Sequence, residues 1–217
     1  MITDSIGSTE SGFNGMTQAS KGAKAQGGGP TVDVGPDVVL LDDDLNIMDK
    51  TDLSRGMIGR GGNIPLGYYN DPKKTAETFI TAGNGGRYVV SGDIAHYTED
   101  GQMVMLGRGT VSINTGGEKV FPEEVEQALK AHPAVYDCLV VGVPDERWGQ
   151  RVAAVVQFRD GTPAPLADIS DHARTLIAGY KLPRELHTVD LITRSPSGKP
   201  DYPWAKKLAE AGAHKTE

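Results

Sequence analysis

Apolar and polar positions alternate with a period of two over "YVVSGDIAHY" (88–97) and "QMVMLG" (102–107). Between them lies "TEDG", whose Asp-Gly pair is a strong signal for a tight hairpin turn, so two antiparallel strands are predicted. The period changes at "FPEEVEQALKAHP" (121–133), where Val125 and Leu129 recur at helical spacing behind Pro122 and three glutamates favoured at a helix N-terminus. "AVYDCLVVGV" and "RVAAVVQF" read as apolar strands divided by the polar "PDERWGQ". A helix over roughly "LADISDHARTLIAG", a strand "ELHTVDLI", the loop "RSPSGKP" and a terminal helix "PWAKKLAEAG" complete a small α+β unit from about residue 112. Upstream, "DVVLLDDD" and "LNIMD" suggest a hairpin, "RGMIGRGGNIPLGYYND" tight turns with short strands, and "DPKKTAETFI" a short helix with Asp71 as N-cap and Pro72 first. Residues 1–30, rich in Gly, Ser and Thr and ending in "AKAQGGGP", read as a flexible loop.

Composition narrows the class of protein. Net charge is −7, from 22 basic and 29 acidic residues, which argues against a nucleic-acid partner because phosphate backbones need a basic face. No apolar run approaches the roughly 18 residues of a bilayer span, so no integral membrane segment is expected. The start, "MITDSIGSTE", lacks the basic segment and apolar run of a secretory signal, making a cytoplasmic, reducing setting the default. Cys138, the single cysteine, lies in an apolar run and reads as a buried structural thiol. His96, His132, His172, His187 and His214 show no metal-like spacing.

Six motifs fall in one order: "GSTESG" (7–12), "GYYNDPKKTAETF" (67–79), "SGDIAHYTEDG" (91–101), "GRGTVSINTGGEKVFPEEVE" (107–126), "DERWGQRV" (145–152) and "SPSGK" (195–199). Together they resemble the adenylate-forming acyl-CoA synthetase superfamily, over nearly the whole chain. "INTGGEKVFPEEVE" is most similar to fatty-acyl-CoA ligases of actinobacterial type. The resemblance implies a two-step reaction, in which a carboxylate and ATP give an acyl-adenylate and pyrophosphate, and coenzyme A then displaces AMP to give a thioester. It also implies an α+β architecture: residues 1–108 as a remnant of the large adenylate-binding domain, mostly β hairpins and loops, and 109–217 as the small, mobile C-terminal domain.

Residue roles follow from the resemblance. Lys199 matches the lysine brought over the reacting carboxylate and α-phosphate, where an ammonium on a flexible tether stabilises accumulating charge. Asp93 matches the ribose-binding aspartate and Arg108 an arginine that also touches the ribose. Glu10 matches the residue supporting the Mg2+ carried by ATP, with Thr9 against the α-phosphate or the adenylate. Gly116, Gly117 and Lys119 match the loop lining the pantetheine tunnel. Plainer readings stand beside these: a solvated loop for Lys199, a turn residue for Asp93, a surface ion-pair partner for Arg108, a chain-start tail for Thr9 and Glu10, a simple turn for the glycines. Trp148 reads as packing the small domain rather than stacking on adenine.

The pattern breaks in two places. Val111 stands at the hinge, where the family usually has aspartate or lysine, and its β-branch stiffens the backbone. No Gly-rich phosphate loop ending in lysine occurs in the 217 residues. The expectation is a C-terminal portion of a ligase for a carboxylic acid, expected to be a fatty acid, inactive without a separate N-terminal domain, and with residues 1–60 short of strand partners. The competing expectations are a non-catalytic nucleotide- or CoA-binding or interaction module, and a superfamily relative that loads carriers or oxidises luciferin-like substrates.

Overall fold

The computed structural model describes residues 2–19, 30–159 and 163–213. It divides into two compact units, the first reaching Gly109 and the second beginning, among described residues, at Thr110. An antiparallel sheet, a mixed sheet and, among the described residues, four α-helices make the fold α+β.

The first unit is an eight-stranded sheet in the order β1-β2-β3-β8-β7-β5-β4, with β6 also pairing β7. Its strands are β1 (Ile2–Ser8), β2 (Gly12–Ala19), β3 (Thr31–Val34), β4 (Val38–Leu41), β5 (Arg55–Arg60), β6 (Phe79–Thr81), β7 (Arg87–Tyr97) and β8 (Met103–Arg108). The Asp-Gly hairpin is present as β7 and β8. Helix α1 (Pro72–Thr78) is capped by the Asp71 carboxylate, which accepts the Lys74 amide at 2.9 Å.

Two expectations need correction here. The Gly/Ser-rich start is a β1–β2 hairpin, not a flexible loop; β2 pairs with β3 through Gly15 and Met16, so this segment has strand partners. Glycine makes the pairing possible, since a Cβ at Gly15 would stand 2.5 Å from the Asp33 carbonyl oxygen. The "AKAQGGG" portion lies outside the described residues. "LNIMD" forms no strand: Leu41 and Ile47 make one isolated bridge, and β4 pairs instead with β5. The Asp42 carboxylate draws the backbone into a turn there, accepting the amides of Asp44 and Asn46 at 2.9 and 2.8 Å.

The second unit holds β9 (Ile113–Thr115), β10 (Glu118–Val120), α2 (Pro122–Lys130), β11 (Val135–Asp145), β12 (Gly149–Phe158), α3 (Leu166–Ala173), β13 (Glu185–Thr188) and α4 (Tyr202–Ala213). The sheet runs β10-β9-β12-β11, with β13 parallel to β12. Alternation along β11 divides two apolar layers. Cys138 and Val140 join Val125 and Leu129 of α2 and Ile169 of α3, whereas Leu139, Val141 and Val143 meet Ala205 and Ala209 of α4. Burial on both faces is why "CLVVGV" is continuously apolar. Helix α3 is shorter than expected, and the chain turns after Ala173, where the Thr175 hydroxyl donates to the His172 carbonyl at 2.7 Å.

Cys138 is fully buried, and burial pushes its thiol pKa well up, as befits a structural thiol. Among the described residues no helix is long and apolar enough to cross a membrane, and no group of three or more His, Cys, Asp or Glu could hold a metal ion. His214 lies outside the described residues.

Candidate functional site

Thr9, Glu10, Asp93 and Arg108 belong to the first unit; Val111, Gly116, Gly117, Lys119 and Lys199 belong to the second.

Thr9 and Glu10 sit in the turn between β1 and β2. That turn is closed by Ser8 and Ser11, each hydroxyl accepting the other residue's amide, at 3.0 and 3.1 Å. Thr9 is exposed. The Tyr68 hydroxyl donates to Glu10 Oε1 at 2.6 Å, and this bond, with one from a backbone amide, holds the Glu10 carboxyl below its usual pKa. Tyr68 is fixed in turn by an edge contact with Phe79 and by the Lys74 ammonium 4.3 Å above its ring. The Glu10 carboxylate and Thr9 hydroxyl are hard oxygen donors suited to Mg2+. With one carboxylate at hand, they fit an ion whose other ligands come from phosphate and water.

Asp93 and Arg108 are cross-strand partners on β7 and β8, next to a bulge between Ile94 and Ala95. Arg108 Nε donates to Asp93 Oδ1 at 3.2 Å and the Ser91 hydroxyl to Oδ2 at 2.8 Å. A carboxylate has about four acceptor sites, so this one retains room for two hydroxyl donors.

In the second unit, Val111 ends a short 3-10 turn (Gly109–Val111) and lines a cavity of about 400 Å3 with Ile113, Val140, Gln150, Tyr202 and Lys206. Gly116 and Gly117 form the β9–β10 turn with φ of 60° and 88°, the left-handed region in which glycine is unstrained. The Gly116 amide donates to the Trp148 carbonyl at 2.9 Å, and a Cβ at Gly116 would come within 2.8 Å of Trp148 Cε3. Trp148 therefore packs beneath the glycine turn, with the guanidinium groups of Arg147 and Arg184 at 4.6 and 5.0 Å from its ring. Gly116→Ala is expected to lower stability by about 1–3 kcal/mol through backbone strain and overpacking, read by urea unfolding. An unchanged midpoint would contradict this. Lys119 is exposed on β10.

Lys199 is exposed, and among the described residues it forms no salt bridge. Its loop is closed by local hydrogen bonds. Arg194 and Pro200 form an antiparallel bridge. Within it the Ser195 amide donates to the Lys199 carbonyl at 2.9 Å, Gly198 to the Ser195 carbonyl at 2.8 Å, and Lys199 to the Ser195 hydroxyl at 3.1 Å. The bend needs Gly198, at φ 79°. Tyr68, which orients Glu10, and Asp137, which binds Arg194, were not singled out by sequence reasoning. Tyr68 stood inside the 67–79 motif; Asp137, 57 residues before its partner, gave no signal.

Comparison with known proteins gives this geometry a family. Residues 124–199 match the model described as "AMP-binding enzyme C-terminal domain". The chain is 58% identical over 211 residues to a Mycobacterium tuberculosis (strain H37Rv) medium/long-chain-fatty-acid–CoA/3-oxocholest-4-en-26-oate–CoA ligase, covering 97% of this chain and 38% of that protein. It is likewise 58% identical to the 3-oxocholest-4-en-26-oate–CoA ligase of Rhodococcus rhodochrous, covering 95% and 37%. Among solved structures, apo MatB from Rhodopseudomonas palustris superposes with a TM-score of 0.72 at 28% identity, covering 96% of this chain and 40% of that one. The chain belongs to the adenylate-forming acyl-CoA ligase family and corresponds to its C-terminal part. It spans 38% of the length of the mycobacterial relative.

Proposed function

We propose that this chain is the C-terminal part of a fatty-acid or other carboxylate–CoA ligase that makes an acyl-adenylate from ATP and then the acyl-CoA thioester, releasing pyrophosphate and AMP. On this reading residues 1–108 complete the adenylate-binding domain, and 109–217 are the small domain that moves about Val111, in a cytoplasmic setting. The observation that carries it is Lys199: an exposed ammonium that forms no salt bridge among the described residues, on a hydrogen-bonded loop within the span matching the AMP-binding C-terminal domain. Charge grows on the carboxylate and α-phosphate oxygens during adenylation, and an ammonium already held in place stabilises it without reorganisation. Asp93 and Arg108 grip the ribose, Glu10 supports the Mg2+ of ATP with Thr9 beside the α-phosphate, and the Gly116–Gly117 turn with Lys119 passes the pantetheine arm. The names of the mycobacterial relatives favour a medium- or long-chain fatty acid, or a steroid side-chain acid, as substrate.

The 217 residues hold no phosphate loop of the Walker type, and alone they are expected to release no pyrophosphate from ATP and a fatty acid. The test is to add them to the remaining N-terminal portion of the Mycobacterium tuberculosis relative and measure acyl-dependent pyrophosphate release. Restored release is expected. Retained AMP and coenzyme A binding without turnover would favour a non-catalytic binding module instead.

A further inference from the structure

The chemistry assigned to Lys199 requires its ammonium to arrive within a few tenths of an ångström of the reacting oxygens. A five-residue loop of Ser, Pro, Ser, Gly and Lys has no side chain able to bury itself, so its order must come from outside. The base of the loop shows from where. Arg194 donates from Nε to Asp137 Oδ2 at 3.0 Å and from Nη2 to Oδ1 and Oδ2 at 2.9 and 2.7 Å. Its remaining terminal nitrogen, Nη1, donates to the Gly198 carbonyl at 3.2 Å, next to the lysine. One planar guanidinium thus bridges the sheet and the tip of the loop.

Asp137 is a firm anchor. Its carboxylate also accepts the Cys138 amide at 2.9 Å and lies 3.9 Å from the Lys130 ammonium of α2, and its side chain is 17% exposed. Its direction comes from a β-bulge: Val135 pairs with Phe158 and Asp137 with Gln157, leaving Tyr136 as the extra residue. In an unbroken strand Val135 and Asp137 would share a face. The bulge instead leaves Val135 on the face of Cys138 and Asp137 on that of Leu139, where Ile192, two residues before Arg194, is buried. The strand partner Gln157 holds the same stem, its side-chain oxygen accepting the Ile192 amide at 3.1 Å.

We propose that Arg194, anchored by Asp137 at the β11 bulge, is the positioning residue that preorganises the 195–199 loop and so aims Lys199 for the adenylation half-reaction. This rests on the role of Lys199 proposed above. Arginine is required because two fork nitrogens, Nε and Nη2, engage Asp137 while the third, Nη1, reaches Gly198; a lysine is a single point charge that can satisfy the carboxylate alone.

Amide hydrogen exchange on the 217-residue chain tests the structural half. Gly198 and Lys199, whose amides are bonded, are expected to be protected in the wild type. Arg194→Ala should raise their exchange by about tenfold or more while Leu139 to Val141 stay unchanged. Arg194→Lys, which keeps the charge pair, should fail to restore protection. Free exchange of both amides in the wild type, no change in Arg194→Ala, or full protection in Arg194→Lys would each overturn the assignment.

The functional half uses the chain combined with the N-terminal portion of the mycobacterial relative. Arg194→Ala should lower the turnover number for pyrophosphate release by about a hundredfold with little change in KM for ATP. Thioester formation from supplied acyl-adenylate should hold at the wild-type rate, which a general folding defect would not allow. If Lys199→Ala fails to slow pyrophosphate release, the proposed function falls while the loop assignment is still decided by exchange. If Lys199→Ala slows it and Arg194→Ala does not, the positioning role falls alone.

Discussion

Lys199→Ala is expected to reduce acyl-dependent pyrophosphate release about 100- to 1,000-fold in the chain combined with an N-terminal ligase portion, the size of effect seen when one preorganised charge-stabilising donor is removed. The loss should fall on turnover, because the ammonium meets its fullest partner charge only as the carboxylate–phosphorus bond forms. KM for ATP should change little, since Asp93, Arg108 and the Mg2+ ligands are untouched. Lys199 lies on the surface and stabilises no core, so the variant should unfold at the wild-type urea midpoint. Equal pyrophosphate release by the two proteins would refute the assigned role.

The second large effect concerns stability. Glu126 of α2 is buried, and its Oε1 accepts the Val140 amide at 2.9 Å, on an edge of β11 that no strand continues among the described residues. Burial pushes its pKa up to about 7, against the favourable bond from Val140 and the pull of Lys130, with Glu123 raising it further. Tyr202 and the Cys138 thiol feel its charge, and both are themselves pushed up. Because the folded-state pKa lies above the unfolded value of 4.5, the folded protein holds this proton more tightly. Stability from this group is complete below pH 4.5 and is lost as pH rises through 7, by about 3 kcal/mol in all. Glu126→Gln keeps an acceptor for Val140 and removes the titration. Between pH 5 and pH 8, urea unfolding of the wild type should lose about 2.5 kcal/mol more than that of the variant. Parallel pH profiles for the two would disprove it. Glu126→Ala removes the acceptor as well, and leaving the amide unpaired should cost about 1–3 kcal/mol at pH 5.

The sequence revealed most where one period ruled a long segment. Helix α2 was marked by Pro122, its glutamates and the Val125–Leu129 spacing, and β11 and β12 by unbroken apolar runs. The β1–β2 hairpin was hidden because its strands carry Gly, Ser and Thr in place of a buried apolar face; backbone pairing with β3 organises it, and pairing leaves no trace in composition. The candidate site divided in the same way. Lys199, Asp93 and the glycine turn stood in contiguous motifs. The partners that hold them, Tyr68 for Glu10 and Asp137 for Arg194, are distant in sequence and depend on tertiary placement. Acyl chain length was not legible, since the roles proposed for these residues concern ribose, phosphate, Mg2+ and pantetheine rather than the hydrocarbon chain.

The extra residue at Tyr136 has a bearing on how this strand tolerates insertions and deletions. Both faces of β11 are hydrophobic, so a one-place slip exchanges one greasy surface for another, and hydropathy gives little penalty against it. Removing Tyr136 would only regularise the ladder, with Val135 still opposite Phe158 and Asp137 opposite Gln157; losing one residue between Asp137 and Leu139 would leave a slab that still excludes water, yet turn Asp137 away from Arg194 and cast the lysine loop adrift. Length before Asp137 is therefore forgiving and length after it is not, and a homologue shortened there is expected to melt normally while having lost its chemistry.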